Sequence, residues 1–247
     1  MDQGSARALL RVAAVGDIHA PKFLNEFKRS LSVLNPTSID LLLLAGDLIL
    51  KGNYDNLNYV LESIEQSDLD CPTLACFGNE EYSSIRDEMR KLAGRRLRFL
   101  DDESVEVHVR GLKVGIVGSQ GSLESPTPWQ AKNIPGIERT YSERIDRIVQ
   151  LLDGLKADLR ILLLHYPPTF KVLEGEPKAF YRYIGCDRCE RIISKDRVDV
   201  VICAHSHMGS PLALVNEVPV HNVSLPSVHK ISRIEITKRV KRNRSVS

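Results

Sequence analysis

The chain has 247 residues, 43% hydrophobic and 27% charged, an ordinary balance for a globular protein with a sizeable core. Lys and Arg total 34 against 32 Asp and Glu, and a net charge of +2 argues against a polybasic nucleic-acid coat. No apolar run approaches the ~18 residues of a membrane-spanning helix. The N-terminal stretch lacks a basic start followed by a long apolar segment, so no signal peptide is expected. Five cysteines do not read as a disulfide framework, which makes the cytoplasm the expected compartment.

In chain order, short aliphatic runs predict strands at Val12–Val15, Ile39–Leu44, Thr73–Phe77, Val114–Val117, Ile161–Leu164 and Val198–Cys203. They show little polar alternation, as expected of strands buried on both faces. Helical stripes lie between them. Phe23, Phe27, Leu31 and Leu34 form one; Ile145, Ile148, Val149, Leu152 and Leu155 form another, with Thr140 and Glu143 as a capping box ahead of it. The alternation points to βαβ units. Leu212–Val215, Val218–Val223 and Ile231–Ile236 then follow as strands with no helix between them, which predicts a second, partly antiparallel sheet. The basic residues 238–247 read as a frayed tail.

Two irregular stretches, Ser119–Gly136 and Tyr166–Gly185, are long enough to be functional. Lys171, Lys178, Tyr181 and Arg182 in the second offer phosphate and base contacts; equally, they belong to a solvated loop with its aromatics turned inward. Trp129 in the first reads as an anchor for its loop. Cys186 and Cys189 lack a second pair of zinc ligands and read as a reduced pair at a helix start.

The polar residues carry the functional signal. Five predicted strands run directly into ligand-type side chains: Gly16-Asp17-Ile18-His19, Gly46-Asp47, Gly78-Asn79-Glu80, His165, and Ala204-His205-Ser206-His207. Sites in α/β sheets lie beyond the carboxyl ends of strands, so Asp17, His19, Asp47, Asn79, His165, His205 and His207 are expected at one edge. Extended backbone would aim residues two apart the same way, bringing each pair to a common centre. Glycines 16, 46 and 78 permit tight turns. Imidazole with carboxylate suits first-row divalent ions, and seven ligands exceed what one tetrahedral ion needs. His108, His221 and His229 lie away from these ends and are read as structural.

The series GDIH, GD, GNE, H and AHSH, in this order, resembles the calcineurin-like metallophosphoesterase superfamily, most closely its compact prokaryotic single-domain members. The resemblance implies one domain over residues 1–247, a four-layer α/β/β/α sandwich with two mixed sheets. It implies a hydrolase with two divalent ions, manganese first and Fe, Ni, Co or Zn as alternatives. Asp17, His19 and His207 would hold one ion, Asn79, His165 and His205 the other, and Asp47 would bridge them. Such a site keeps a charge of about +2 and favours a phosphate anion, from a phosphoester substrate or a nucleotide. Asp47, Asn79 and Glu80 are the candidate catalytic residues. Two departures stand out. Ala204 replaces a glycine, and Glu80 replaces the histidine that contacts phosphate and assists the leaving group. Loss of that histidine predicts phosphodiesters over monoesters. A non-catalytic scaffold of the same fold and a nuclease are the alternatives, though no stable nucleic-acid partner is expected.

Overall fold

The computed structural model describes residues 6–240. The chain runs β1 (Ala6–Val15), α1 (Leu24–Ser32), β2 (Leu41–Ala45), α2 (Leu57–Glu65), β3 (Thr73–Cys76), α3 (Arg86–Ala93), β4 (Arg98–Leu100), β5 (Glu103–Val109), β6 (Leu112–Ser119), α4 (Pro128–Asn133), α5 (Ile137–Gly154), β7 (Leu159–Leu164), β8 (Val200–Cys203), β9 (Leu212–Val215), β10 (Val218–Asn222) and β11 (Ser232–Val240).

The strands form two mixed sheets, ordered β11-β1-β2-β3-β4 and β5-β6-β7-β8-β10-β9. Strands β1 to β4 are parallel, with β11 antiparallel to β1 at one edge. Strands β6, β7, β8 and β10 are parallel, with β5 and β9 antiparallel at the two edges. Alternation within β2 shows why its sequence is apolar throughout. Leu41 and Leu43 pack between the sheets with Leu10, Ile161 and Ile202. Leu42 and Leu44 pack outward against Phe27 and Leu31 of α1 and Val60 of α2. On the far side, Ile145, Ile148 and Leu152 of α5 cover Leu162, Leu164 and Val201. The result is the expected four layers, with the carboxyl ends of the parallel strands left free for a site.

Several local expectations are corrected. Helix α5 begins at Ile137, after Gly136 at φ +74°, so Thr140 lies one turn inside and its hydroxyl bonds Gly136 O instead of capping. The capping box belongs to α4, where Thr127 and Gln130 exchange bonds. Trp129 does not anchor its loop: it is 66% exposed. Buried Leu123, packed with Tyr141 and Tyr166, holds that loop, with Arg144 Nη1 donating to Gly121 O. The C-terminal stretch does not fray from Lys238. Residues Lys238–Val240 continue β11 in register with Ala6–Ala8, and Lys238 Nζ bonds Asp199. Residues 241–247 lie outside the described residues.

No helix among the described residues is long and apolar enough to cross a membrane.

Candidate metal centre

All seven expected ligands meet beyond the strand ends, but not by extended backbone. Asp17, His19, Asp47 and His205 have φ of 57°, 43°, 52° and 68°. This left-handed conformation is uncommon outside glycine and concentrates at functional sites. After β1, β2 and β8 the left-handed residue is thus a ligand itself, whereas Asn79, His165 and His207 have no positive φ. Of the three preceding glycines only Gly46 needs positive φ, at 80°. Gly78 serves close approach instead, since a Cβ there would stand 2.2 Å from Asp47 Oδ1. Ala204, in place of the family glycine, packs against Gly16, where a Cβ would meet the Ala204 methyl at 2.4 Å.

The side chains form two groups. In the first, His19 Nε2 lies 3.4 Å from His207 Nε2 and 3.9 Å from Asp17 Oδ1, and His207 Nε2 lies 3.7 Å from Asp17 Oδ2. In the second, Asp47, His165 and His205 bring ligand atoms within 4.8 Å of one another. His165 Nε2 lies 3.6 Å from Asp47 Oδ2 and 2.9 Å from Asn79 Oδ1. Asp47 Oδ2 is also 3.9 Å from His19 Nε2 of the first group. One carboxylate oxygen therefore faces both groups. Donor atoms roughly 3–4 Å apart are what ligands at ~2.0–2.2 Å from a shared cation require.

Two features test whether these residues fit cations. Asp17 Oδ1 and His19 Nδ1 are buried with no hydrogen-bond partner, and a buried carboxylate oxygen without one is costly. His165 Nδ1 lies 2.9 Å from Ala45 O and donates to it, which leaves a lone pair on Nε2. That lone pair faces the lone pairs of Asn79 Oδ1. A cation between them relieves such a contact with Asn79 Oδ1 facing inward, and burial lowers the His165 pKa and disfavours a proton there. The residues fit cations.

The electrostatics agree. Burial drives the His19 pKa down to about 4, despite the field of Asp17. Burial, with neighbouring His165, puts His205 well below the ordinary imidazole range. Both present neutral rings at pH 7, the form that ligates metal. Burial would raise Asp17, but its close pairing with His207 and the fields of His165 and His205 outweigh it and hold the carboxyl well down. Asp47 goes the other way: burial, with the charges of Glu81 and Asp17 beside it, lifts its pKa.

Glu80 presents its backbone to the site and its side chain elsewhere. Its N–H donates to Asp47 Oδ1 at 2.7 Å, while its carboxylate accepts from Lys51 N–H at 2.5 Å. Two of the three loop cations are engaged as well. Lys171 bonds Glu190, and Arg182 bonds Ser125 Oγ. Tyr181 packs on Phe170 with ring centroids 5.6 Å apart. Cys186 and Cys189 are free, buried thiols at the start of a 3-10 turn, Asp187–Ile192, and join no metal-ligand group among the described residues.

The residue that sequence reading passes over is Glu81. It is fully buried and accepts from four backbone amides. Oε2 takes Gly78 N–H at 2.6 Å and Asp47 N–H at 2.9 Å; Oε1 takes Leu48 N–H at 2.6 Å and Ile49 N–H at 3.3 Å. One carboxylate thus ties the β2 turn to the β3 turn. The doubled acid after Asn79 is its only signal in the sequence.

A family model described as calcineurin-like phosphoesterase matches residues 10–209, and the chain belongs to that family of phosphoester hydrolases. No curated protein matches by sequence. Among solved structures, phosphopantetheinyl hydrolase from Mycobacterium tuberculosis is similar at TM-score 0.68 and 15% identity, covering 92% of this chain and 96% of that one. GAP50, the anchor in the inner membrane complex of Plasmodium, is similar at TM-score 0.54 and 13% identity, covering 89% and 72%. A 5'-nucleotidase precursor from Thermus thermophilus is similar at TM-score 0.54 and 14% identity, covering 94% of this chain but 54% of that one. At these identities the likeness is one of fold.

Proposed function

We propose that the protein is a dinuclear metal-dependent phosphoesterase that hydrolyses P–O ester bonds, with phosphodiesters preferred over alkyl monoesters. The observation that carries this reading is Asp47 Oδ2, which faces His19 of one ligand group and His165 of the other. Asp17, His19 and His207 hold one ion, Asn79, His165 and His205 hold the second, and Asp47 stands between. Two divalent cations supply Lewis-acid charge for the phosphoryl oxygens and a nucleophile at neutral pH. The donor set of imidazole, carboxylate and amide oxygen suits manganese first, with Fe, Co, Ni or Zn as alternatives.

The residues of the chain orient and neutralise. His165 keeps its Nε2 lone pair aimed inward by donating Nδ1–H to Ala45 O. Asp47 keeps Oδ2 free because Oδ1 accepts from Glu80 N–H. Position 80 supplies no proton to the leaving group, since the Glu80 carboxylate is bound to Lys51 N–H. A leaving alkoxide therefore departs without the acid that a histidine would provide, help typically worth ~10²–10⁴-fold. A monoester reacts through the looser transition state, with more charge on the departing oxygen, so the missing acid costs alkyl monoesters more, which supports the preference for diesters. Nucleotides are candidate substrates by charge. The free thiols fit the cytoplasm.

The test is metal analysis of the purified protein, then kcat/KM for one monoester and one diester with the same leaving group at saturating Mn. Two ions per chain and faster diester hydrolysis are expected. Monoester preference would overturn the diester reading and leave the dinuclear one. Absence of hydrolysis with both ions bound would favour a scaffold.

A further inference from the structure

The turn that carries His205 and His207 is gripped by the loop that follows His165. Gly175 has φ +114°, and a Cβ there would stand 2.0 Å from Met208 O. A Cβ on Gly209 would stand 2.1 Å from Val172 O and 2.2 Å from Ser206 Oγ. The backbones of 172–175 and 206–209 are therefore in direct contact, with no side chain between them. Across that contact, one oxygen of Glu176, Oε1, accepts from Ser206 Oγ at 3.1 Å and from Met208 N–H at 2.9 Å. The residues on either side of His207 are thus fixed by a single carboxylate.

The four site histidines are not held equally. His165 is fully buried and His19 is 6% exposed, so packing fixes both. The His207 side chain is 40% exposed, and His205 is half-buried. Their aim depends on the turn beneath them. Asn222 Nδ2 grips it through Ser206 O at 2.9 Å, and Ser227 Oγ through Gly209 O at 2.8 Å. Glu176 completes the grip from the loop side.

We propose that Glu176 is a positioning residue that sets the aim of His207, and through it the affinity of the ion position shared with Asp17 and His19. This rests on the two-metal reading above. Residues that orient metal ligands in this way typically cost 10–100-fold in affinity when lost. Glu176 holds the turn by accepting two bonds on one oxygen, so an amide oxygen can replace it while a methyl cannot.

The experiment titrates the full chain, freed of metal by chelation, with MnCl₂ and counts bound ions by calorimetry. Amide hydrogen exchange of residues 206–209 is followed in the metal-free protein, beside the melting temperature. The wild type should bind two ions. Glu176→Ala should weaken one of them about 10–100-fold and speed exchange at 206–209 with little change in melting temperature. Glu176→Gln should restore both readouts. Ser206→Ala, which removes one of the two bonds, should show a smaller loss in the same direction and decides the matter if Glu176→Ala fails to fold. Two ions bound by Glu176→Ala with wild-type affinity, or a Glu176→Gln as weak as Glu176→Ala, would overturn the proposal. A wild type that does not bind two ions overturns the two-metal reading instead, and the exchange data then decide whether Glu176 holds the turn.

Discussion

Glu81 Oε2 accepts the Asp47 amide at 2.9 Å, placing a second buried carboxylate directly behind the one that faces both ligand groups. The arrangement joins the ends of β2 and β3, and it explains why two acids lie together in an apolar interior. Four backbone donors oppose, without cancelling, the burial that raises the Glu81 pKa.

Removing that acceptor strands the donors. Glu81→Ala leaves the amides of Gly78, Asp47, Leu48 and Ile49 without a partner, at a cost of roughly 1–3 kcal/mol for each that stays dry. Urea denaturation should show a loss of at least about 2 kcal/mol. Glu81→Gln keeps one acceptor oxygen and should lose less. Equal stability of Glu81→Ala and wild type would mean that water replaces the carboxylate.

Asp47→Asn should separate stability from metal binding. Asp47 is buried beside Glu81 and Asp17, whose charges disfavour its ionised form. The amide removes that repulsion and can still accept from Glu80 N–H. The metal-free variant should therefore melt at a higher temperature than wild type, while both ions bind at least ~10-fold more weakly. Full hydrolytic activity at limiting Mn would refute the bridging role.

His165→Ala should act chiefly on one position. The variant loses the ring beside Asn79 Oδ1 and Asp47 Oδ2. Asp17, His19 and His207 remain, although Asp17 Oδ1 loses the His165 ring 4.0 Å away. Metal counting should fall from two ions towards one, with hydrolysis reduced by more than about 100-fold. Loss of both ions together would show that the two groups do not bind independently.

Glu80 gives the sharpest test of leaving-group chemistry. Because its carboxylate bonds Lys51 N–H, Glu80→Ala should leave the monoester-to-diester ratio unchanged. Glu80→His introduces an acid and should raise alkyl monoester kcat/KM by ~10²-fold or more. A large change in the ratio with Glu80→Ala would mean that the carboxylate meets the substrate after all.

Much of the architecture can be read along the chain because its causes are local. The runs at Leu41–Ala45 and Leu159–Leu164 are apolar at almost every position because both faces of each strand are covered. The elements that escape reading are those whose sequence signal is weak. Helix α3, Arg86–Ala93, buries only Met89 and Ala93 on an otherwise charged surface. Strand β5, Glu103–Val109, is a half-exposed sheet edge, and β4 has three residues. Helix α5 starts one turn early because the left-handed Gly136 decides its entry, which the Thr140–Glu143 pattern does not reveal.

The seven candidate ligands can be named from the chain alone, since a strand followed at once by a polar residue marks a sheet edge wherever the strands lie. How they converge is a tertiary matter. The left-handed backbone at Asp17, His19, Asp47 and His205 is held by contacts from other strand ends: Asp17 N–H donates to Gly46 O at 3.0 Å, His19 N–H to Asp47 O at 2.8 Å, and His205 N–H to Asp17 Oδ2 at 2.8 Å. Glu81 and Glu176 belong to the same class. Each is an acid with no local pattern, and each takes its meaning from donors that the fold brings to it from 30 to 34 positions away, apart from the nearby Gly78 that Glu81 also holds. That separation is on the order of a whole βαβ unit, so no window of sequence short enough to show a periodicity contains both partners.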